Sequence, residues 1–239
     1  MAGVAEPLIL VPGLLCSERL YAPQIAAFGI APDGSKRELI VADHTRADRM
    51  ETIVEGILAT APPRFALAGL SMGGYVAMAI MRAAPERVTR VAFLDTTARP
   101  DPPERAAERR KLVEVARAEG VRKVQGILLP RLVHPSRLSD KPLVDVVLGM
   151  SEDVGIEAFA RQQEAIIARP DSRSTLTQIK VPALVVVGEQ DAQTPPDIAR
   201  EMAGSIPGAT LVVVPDCGHL STIERKEAVN AAIRGWLVA

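Results

Sequence analysis

A short apolar run, Phe65-Ala66-Leu67-Ala68, ends in Gly69-Leu70-Ser71-Met72-Gly73-Gly74, and a helix-compatible segment from Tyr75 to Ala84 follows at once and stops at Pro85. Strand, sharp turn and helix are thus compressed into one stretch with a serine at the turn. The flanking glycines have a steric reason. A tight turn with Ser71 at positive φ brings the incoming strand and the outgoing helix so close that the positions two before and two after can scarcely carry side chains. Such a turn lifts the hydroxyl clear of the fold and sets the Met72 N–H at a helix N-terminus, where free amides and the helix dipole favour negative charge. Those are the needs of a serine nucleophile, which is weak without a base and oxyanion donors. A buried serine in an ordinary βα turn fits the same five residues, so partners elsewhere in the chain must decide.

The rest of the chain repeats the strand–helix rhythm. Leu8 to Val11 reads as a strand, the loop Pro12-Gly13-Leu14-Leu15-Cys16-Ser17 follows it, and Glu18 to Phe28 has helical spacing. Leu39 to Ala42 is a second strand leading to Asp43-His44-Thr45, and Met50 to Ala59 a helix. After the Ser71 unit, Val88 to Leu94 is a strand ending at Asp95-Thr96-Thr97. From Ala98 to Ile179 strand signals vanish, and polar-rich helices are broken at Pro100, Pro102, Pro103, Pro130, Pro135, Pro142 and Pro170. Roughly 80 residues are too many for a loop. The segment reads as a helical lid, with Val121 to Leu132 and Val144 to Met150 aliphatic enough to roof a pocket. Val181 to Gly188 restores the sheet, as a run covered on both faces. Pro195-Pro196 opens a helix to Met202, Thr210 to Val214 is the last strand, and Arg225 to Trp236 a closing helix. The expectation is an α/β fold with six parallel strands: a core domain of residues 1–97 and 180–239, and a lid of residues 98–179.

Composition narrows the function. With 28 basic and 29 acidic residues the net charge is −1, which offers no long-range attraction to nucleic acid or anionic lipid. Aromatic residues make up 3%, so a pocket must be lined mainly by aliphatic side chains and base stacking has little to work with. The basic cluster from Arg105 to Lys111 is interleaved with Glu104, Glu108 and Glu114 at helical spacing and reads as a solvated face. No apolar run approaches the ~18 residues of a membrane span. Residues 1–5 carry no basic residue of a signal sequence, so a cytoplasmic protein with reduced thiols is expected. Cys16 and Cys217 lack metal-ligand spacing, and no glycine-rich phosphate loop is present, so neither metal nor cofactor is expected.

Ser71, Asp191 and His219 each follow a predicted strand, in the chain order nucleophile, acid, base. With Val11-Pro12-Gly13, Gly69 to Gly74, Pro85-Glu86-Arg87-Val88, Val187 to Asp191 and Gly218-His219, the sequence resembles the α/β-hydrolase superfamily over nearly its whole length. The resemblance implies that Leu14 N–H is a second oxyanion donor beside Met72, although Pro12-Gly13 stands where His-Gly is usual. His219 is the expected base, since it alone of the three histidines ends a buried strand late in the chain. His44 reads as a loop residue at the pocket rim and His134 as structural or surface. Asp191 is the preferred acid because it lies far enough past its strand to reach back under the imidazole; Glu189, Asp95 and Asp216 remain alternatives, and Cys217 borders the site. The resulting expectation is a cofactor-free serine hydrolase of a small, largely apolar ester or lactone. Cleavage of a carbon–carbon bond in a ring-fission diketone, or a non-catalytic receptor on the same scaffold, are the other readings. Oligomeric state is not legible.

Overall fold

The computed structural model describes residues 5–239. Residues 1–4, on which the N-terminal core boundary was placed, lie outside them. Six strands, β1 Ala5–Val11, β2 Arg37–Val41, β3 Phe65–Leu70, β4 Val88–Leu94, β5 Ala183–Gly188 and β6 Thr210–Val214, form one parallel sheet in the order β2-β1-β3-β4-β5-β6. The order reverses between β1 and β3. At such a switch point the outgoing loops part to opposite faces and leave a crevice at the strand carboxyl ends.

Before β4 run α1 Ala22–Phe28, α2 Met50–Thr60 and α3 Met72–Ala83; between β4 and β5, α4 Pro103–Glu119, α5 Val121–Leu132, α6 Lys141–Val154, α7 Ile156–Ile167 and α8 Arg173–Leu176; after β5, α9 Pro196–Ser205, α10 Ser221–Glu224 and α11 Lys226–Val238. The period-2 alternation of the strands sorts their side chains between two cores. Ile9, Leu67, Val91 and Val185 face α2, α3 and α9, while Leu8, Ala66, Ala92 and Leu184 face α1 and α11. Every residue of β3 and of β5 is buried, as strands covered on both sides require. Ten of the twelve residues of α3 are buried too, so the helix behind Ser71 is held on all sides.

Between β4 and β5 the chain is helical, with a small core of its own: Val113 and Ala116 of α4, Val121 and Val124 of α5, Phe159 of α7 and Leu15 from the β1 exit. Proline breaks this segment as expected at helix ends, but Pro130 lies inside α5. It falls in the last turn, where the missing N–H removes only one bond, and the helix ends two residues later. Among the described residues no helix is long and apolar enough to cross a membrane.

Candidate active site

Ser71 stands at φ 55° and ψ −113°, immediately before α3. Its N–H donates to Leu94 O at 2.9 Å and its carbonyl accepts from Thr96 Oγ1 at 2.7 Å, so the strained turn is tied to the end of β4. A Cβ on Gly69 would overlap the Gly73 backbone, and one on Gly73 would overlap Val11 O and Pro12 O. β1, β3 and α3 therefore meet backbone to backbone beneath the serine. Gly73→Ala should lose about 3 kcal/mol of stability, the upper range of overpacking, because backbone rather than a flexible side chain must give way. Gly204→Ala, in α9 with open space around it, should gain about 0.5–1 kcal/mol. Urea unfolding of both variants checks the contrast.

The β1 exit loop is strained as well, with Leu15 at φ 54°. Leu15 N–H donates to Gln162 Oε1 of α7 at 3.3 Å. His44 Nε2 lies 3.1 Å from Gln162 Nε2 and 3.1 Å from Gly13 O. His44 is thus not a rim residue: it is buried beneath the loop, burial lowers its pKa, and it holds the loop in shape. Among the described residues neither Leu14 N–H nor Met72 N–H has a hydrogen-bond acceptor. Both amides are free to donate to a ligand.

At the β5 and β6 exits, His219 Nδ1 is 2.7 Å from Asp191 Oδ2. Asp191 Oδ1 accepts from Gln193 N–H at 2.7 Å and Thr194 N–H at 2.9 Å, and Oδ2 also accepts from Thr194 Oγ1 at 2.7 Å. Burial works against the Asp191 charge, but the imidazole and these donors outweigh it and hold its pKa below the ordinary value. Burial likewise works against the His219 imidazolium, yet the adjacent Asp191 carboxylate outweighs it and raises the pKa. The rival acids sit elsewhere. Glu189 is exposed, and Asp216 is exposed and pairs with Arg225. Asp95 is fully buried, bonded to Ser221 Oγ and to Gly188 N–H, and burial and the neighbouring Asp191 charge push its pKa well above the carboxylate range.

Two supports of His219 escaped the sequence reading. Its N–H and that of Leu220 donate to Leu132 O, at 3.0 and 3.1 Å, so the end of α5 anchors the loop. Glu224 accepts from Gly218 N–H at 3.0 Å and His134 N–H at 2.7 Å, which ties the loop to the residues after α5. The local clue was slight, a carboxylate in a four-residue helix.

Ser71, His219 and Leu14 line one cavity of about 390 Å³. Its aliphatic lining includes Ile127, Leu128 and Leu132 of α5, Leu112 of α4 and Ile166 of α7. No residue of α6 lines it; Val147 and Met150 pack into the sheet core instead. The Arg105–Lys111 cluster, expected in solvent, contributes Arg105, Glu108, Arg109 and Lys111 to the lining. Cys217 does not line the cavity, whereas Cys16 does, and burial pushes the Cys16 thiol up to about 12, so it is no nucleophile.

A six-stranded parallel sheet with helices on both faces and a serine at a positive-φ strand–helix turn is the α/β-hydrolase fold. The chain belongs to the alpha/beta hydrolase family, which it matches over residues 6–232. It is similar to an esterase from Thermogutta terrifontis, 31% identical with a TM-score of 0.87, over 99% of this chain and 91% of that one. The enol-lactonase from Burkholderia xenovorans LB400 superposes with a TM-score of 0.84 at 28% identity, over 99% and 93% of the two chains. A 2-hydroxy-6-oxononadienedioate/2-hydroxy-6-oxononatrienedioate hydrolase from Burkholderia vietnamiensis is 27% identical over 86% of this chain and 74% of that protein.

Proposed function

We propose that the protein is a serine hydrolase of a carboxylic ester or lactone, acting through Ser71, His219 and Asp191. The observation that carries this reading is the Asp191–His219 hydrogen bond of 2.7 Å beside a cavity that Ser71 and His219 share. In the proposed reaction Ser71 Oγ attacks the acyl carbon while His219 Nε2 takes its proton, and Asp191 holds Nδ1–H and stabilises the imidazolium. The Leu14 and Met72 amides hold the oxyanion. His219 then protonates the leaving alcohol, and water activated by the same imidazole releases the acyl group. The esterase and lactonase relatives support the substrate class. A second reading, hydrolysis of a carbon–carbon bond in a ring-fission diketone, is favoured by the Burkholderia vietnamiensis relative. Rates on esters, lactones and such a diketone, compared under one condition, test the assignment; a diketone preferred over every ester and lactone would move it to the second reading.

In this proposal residues 98–179 form a lid on a core of residues 1–97 and 180–239, and α5 supplies much of the acyl pocket. Leu128 and Leu132 line the cavity one helical turn apart. Replacing either with alanine should change the preference among acetyl to octanoyl esters by a few-fold per carbon, since a buried methylene is worth about 0.8 kcal/mol. An unshifted kcat/KM profile in folded protein would mean that acyl chains bind elsewhere.

A further inference from the structure

The cavity is walled largely by aliphatic side chains but also carries a polar surplus. Among the described residues six buried side-chain nitrogen or oxygen atoms have no hydrogen-bond partner, and three of these, Gln125 Oε1, Gln125 Nε2 and Gln163 Nε2, belong to two side chains lining this one cavity. Gln125 is 1% exposed and Gln163 0%, so bulk water does not serve them. Buried amides are normally paired, and leaving one unpaired is destabilising.

Gln163 is held in that state. Its Oε1 accepts from Arg109 Nη1 at 2.9 Å, Arg109 also binds one oxygen of Asp101, and the other oxygen accepts from Arg169 Nη2 at 2.7 Å. Arg169 in turn stacks on the Tyr75 ring at 4.1 Å. With its oxygen committed, Gln163 keeps Nε2 as a donor. Gln125 lies on α5 three residues before Leu128 and seven before Leu132, on the same face and the same cavity wall. The charges lean one way. Arg105, Arg109, Lys111 and Arg131 line the cavity against only Asp101 and Glu108, an excess of two cations in a chain whose net charge is −1.

We infer that Gln125 and Gln163 form a subsite for a carboxylate that the substrate carries away from its scissile bond. Resting on the ester or lactone reading, this narrows the substrate class to carboxylate-bearing esters and lactones. The two Nε2 groups donate to the carboxylate oxygens, and the excess of cationic side chains in the lining favours the charge. Gln125 Oε1 is left to accept from a hydroxyl of the substrate or from water. A purely aliphatic ester would leave all three amide atoms unpaired, and a site built to hydrogen-bond discriminates strongly against a ligand that cannot.

The test compares monoethyl glutarate, adipate and pimelate with ethyl valerate, hexanoate and heptanoate, pairs of equal acyl length, by acid release at constant pH. In the unmutated protein kcat/KM should favour the carboxylate member of at least one pair by about tenfold or more. Gln125→Met keeps the volume and removes the amide. Gln163→Glu keeps an oxygen for Arg109 and sets a like charge against the substrate. Each variant should lower the ratio by about tenfold or more, chiefly through KM for the carboxylate ester. Equal rates within every pair in the unmutated protein, or an unchanged ratio in a folded variant, overturns the inference. If one variant does not fold, the unmutated ratio and the other variant decide. Failure of every ester together with failure of fluorophosphonate labelling would remove the serine-hydrolase reading itself; labelling and hydrolysis without carboxylate preference would remove only this subsite.

Discussion

Ser71→Ala is expected to abolish fluorophosphonate labelling and to lower kcat by about 10⁶-fold, the loss seen when a triad serine is removed. The stoichiometry in the unmutated protein should be one label per chain, at Ser71. The reason is positional. Ser71 stands at the end of β3, at φ 55°, and lines the same cavity as His219 and Leu14, whose amide has no acceptor, with the equally free Met72 amide next to it in the chain. Other serines lack that setting: Ser221 is fully buried and bonded to Asp95, and Ser151 is fully buried with its hydroxyl on Leu148 O at 2.6 Å. The alanine variant should fold normally, because the turn is held by Gly69, Gly73 and the Ser71 backbone bonds rather than by the hydroxyl. A label on any other serine, or turnover retained in the variant, would overturn the nucleophile assignment.

Asp191→Asn should lower kcat by about 10⁴-fold, as when a triad aspartate becomes asparagine and favours the wrong imidazole tautomer. Asp95→Asn and Glu189→Gln should each lose less than about tenfold, the first because burial and the neighbouring Asp191 charge raise the Asp95 pKa and disfavour its charge, the second because Glu189 faces solvent. The pH profile separates a charge partner from a merely structural one. As general base His219 must be neutral, so kcat/KM rises with pH through its pKa. Burial lowers that pKa, but the Asp191 charge and hydrogen bond outweigh it and raise it above the ordinary imidazole value, with Asp95 and Glu224 as further acids near the ring. Removing the Asp191 charge should therefore move the acidic limb of the profile to lower pH. An unmoved limb, or a larger loss in Asp95→Asn, would place the catalytic acid elsewhere.

The order of strands along the chain, the six-stranded parallel sheet and the strained serine turn were legible in the sequence because each depends on neighbours within a few residues. Period-2 and period-3.6 patterns mark which side chains are buried, and Gly69 and Gly73 mark where backbones touch. The same patterns brought Ser71, Asp191 and His219 forward as candidates and preferred Asp191 while leaving Glu189, Asp95 and Asp216 as alternatives. What singles it out is a contact across 28 residues, its 2.7 Å approach to His219 Nδ1, and no local pattern encodes such a contact. The surroundings of the cavity were less legible still. His44 and Gln162 meet across 118 residues, Leu15 and Gln162 across 147, and Arg109 and Gln163 across 54. Along a helix, Arg105 to Lys111 spaced with glutamates looks like a solvated face, and no motif marks Gln125 or Gln163. Periodicity reports that a helix has a polar side; only the packing of α4, α5 and α7 over the carboxyl ends of β1 and β3 decides that this polar side closes on a cavity rather than on water.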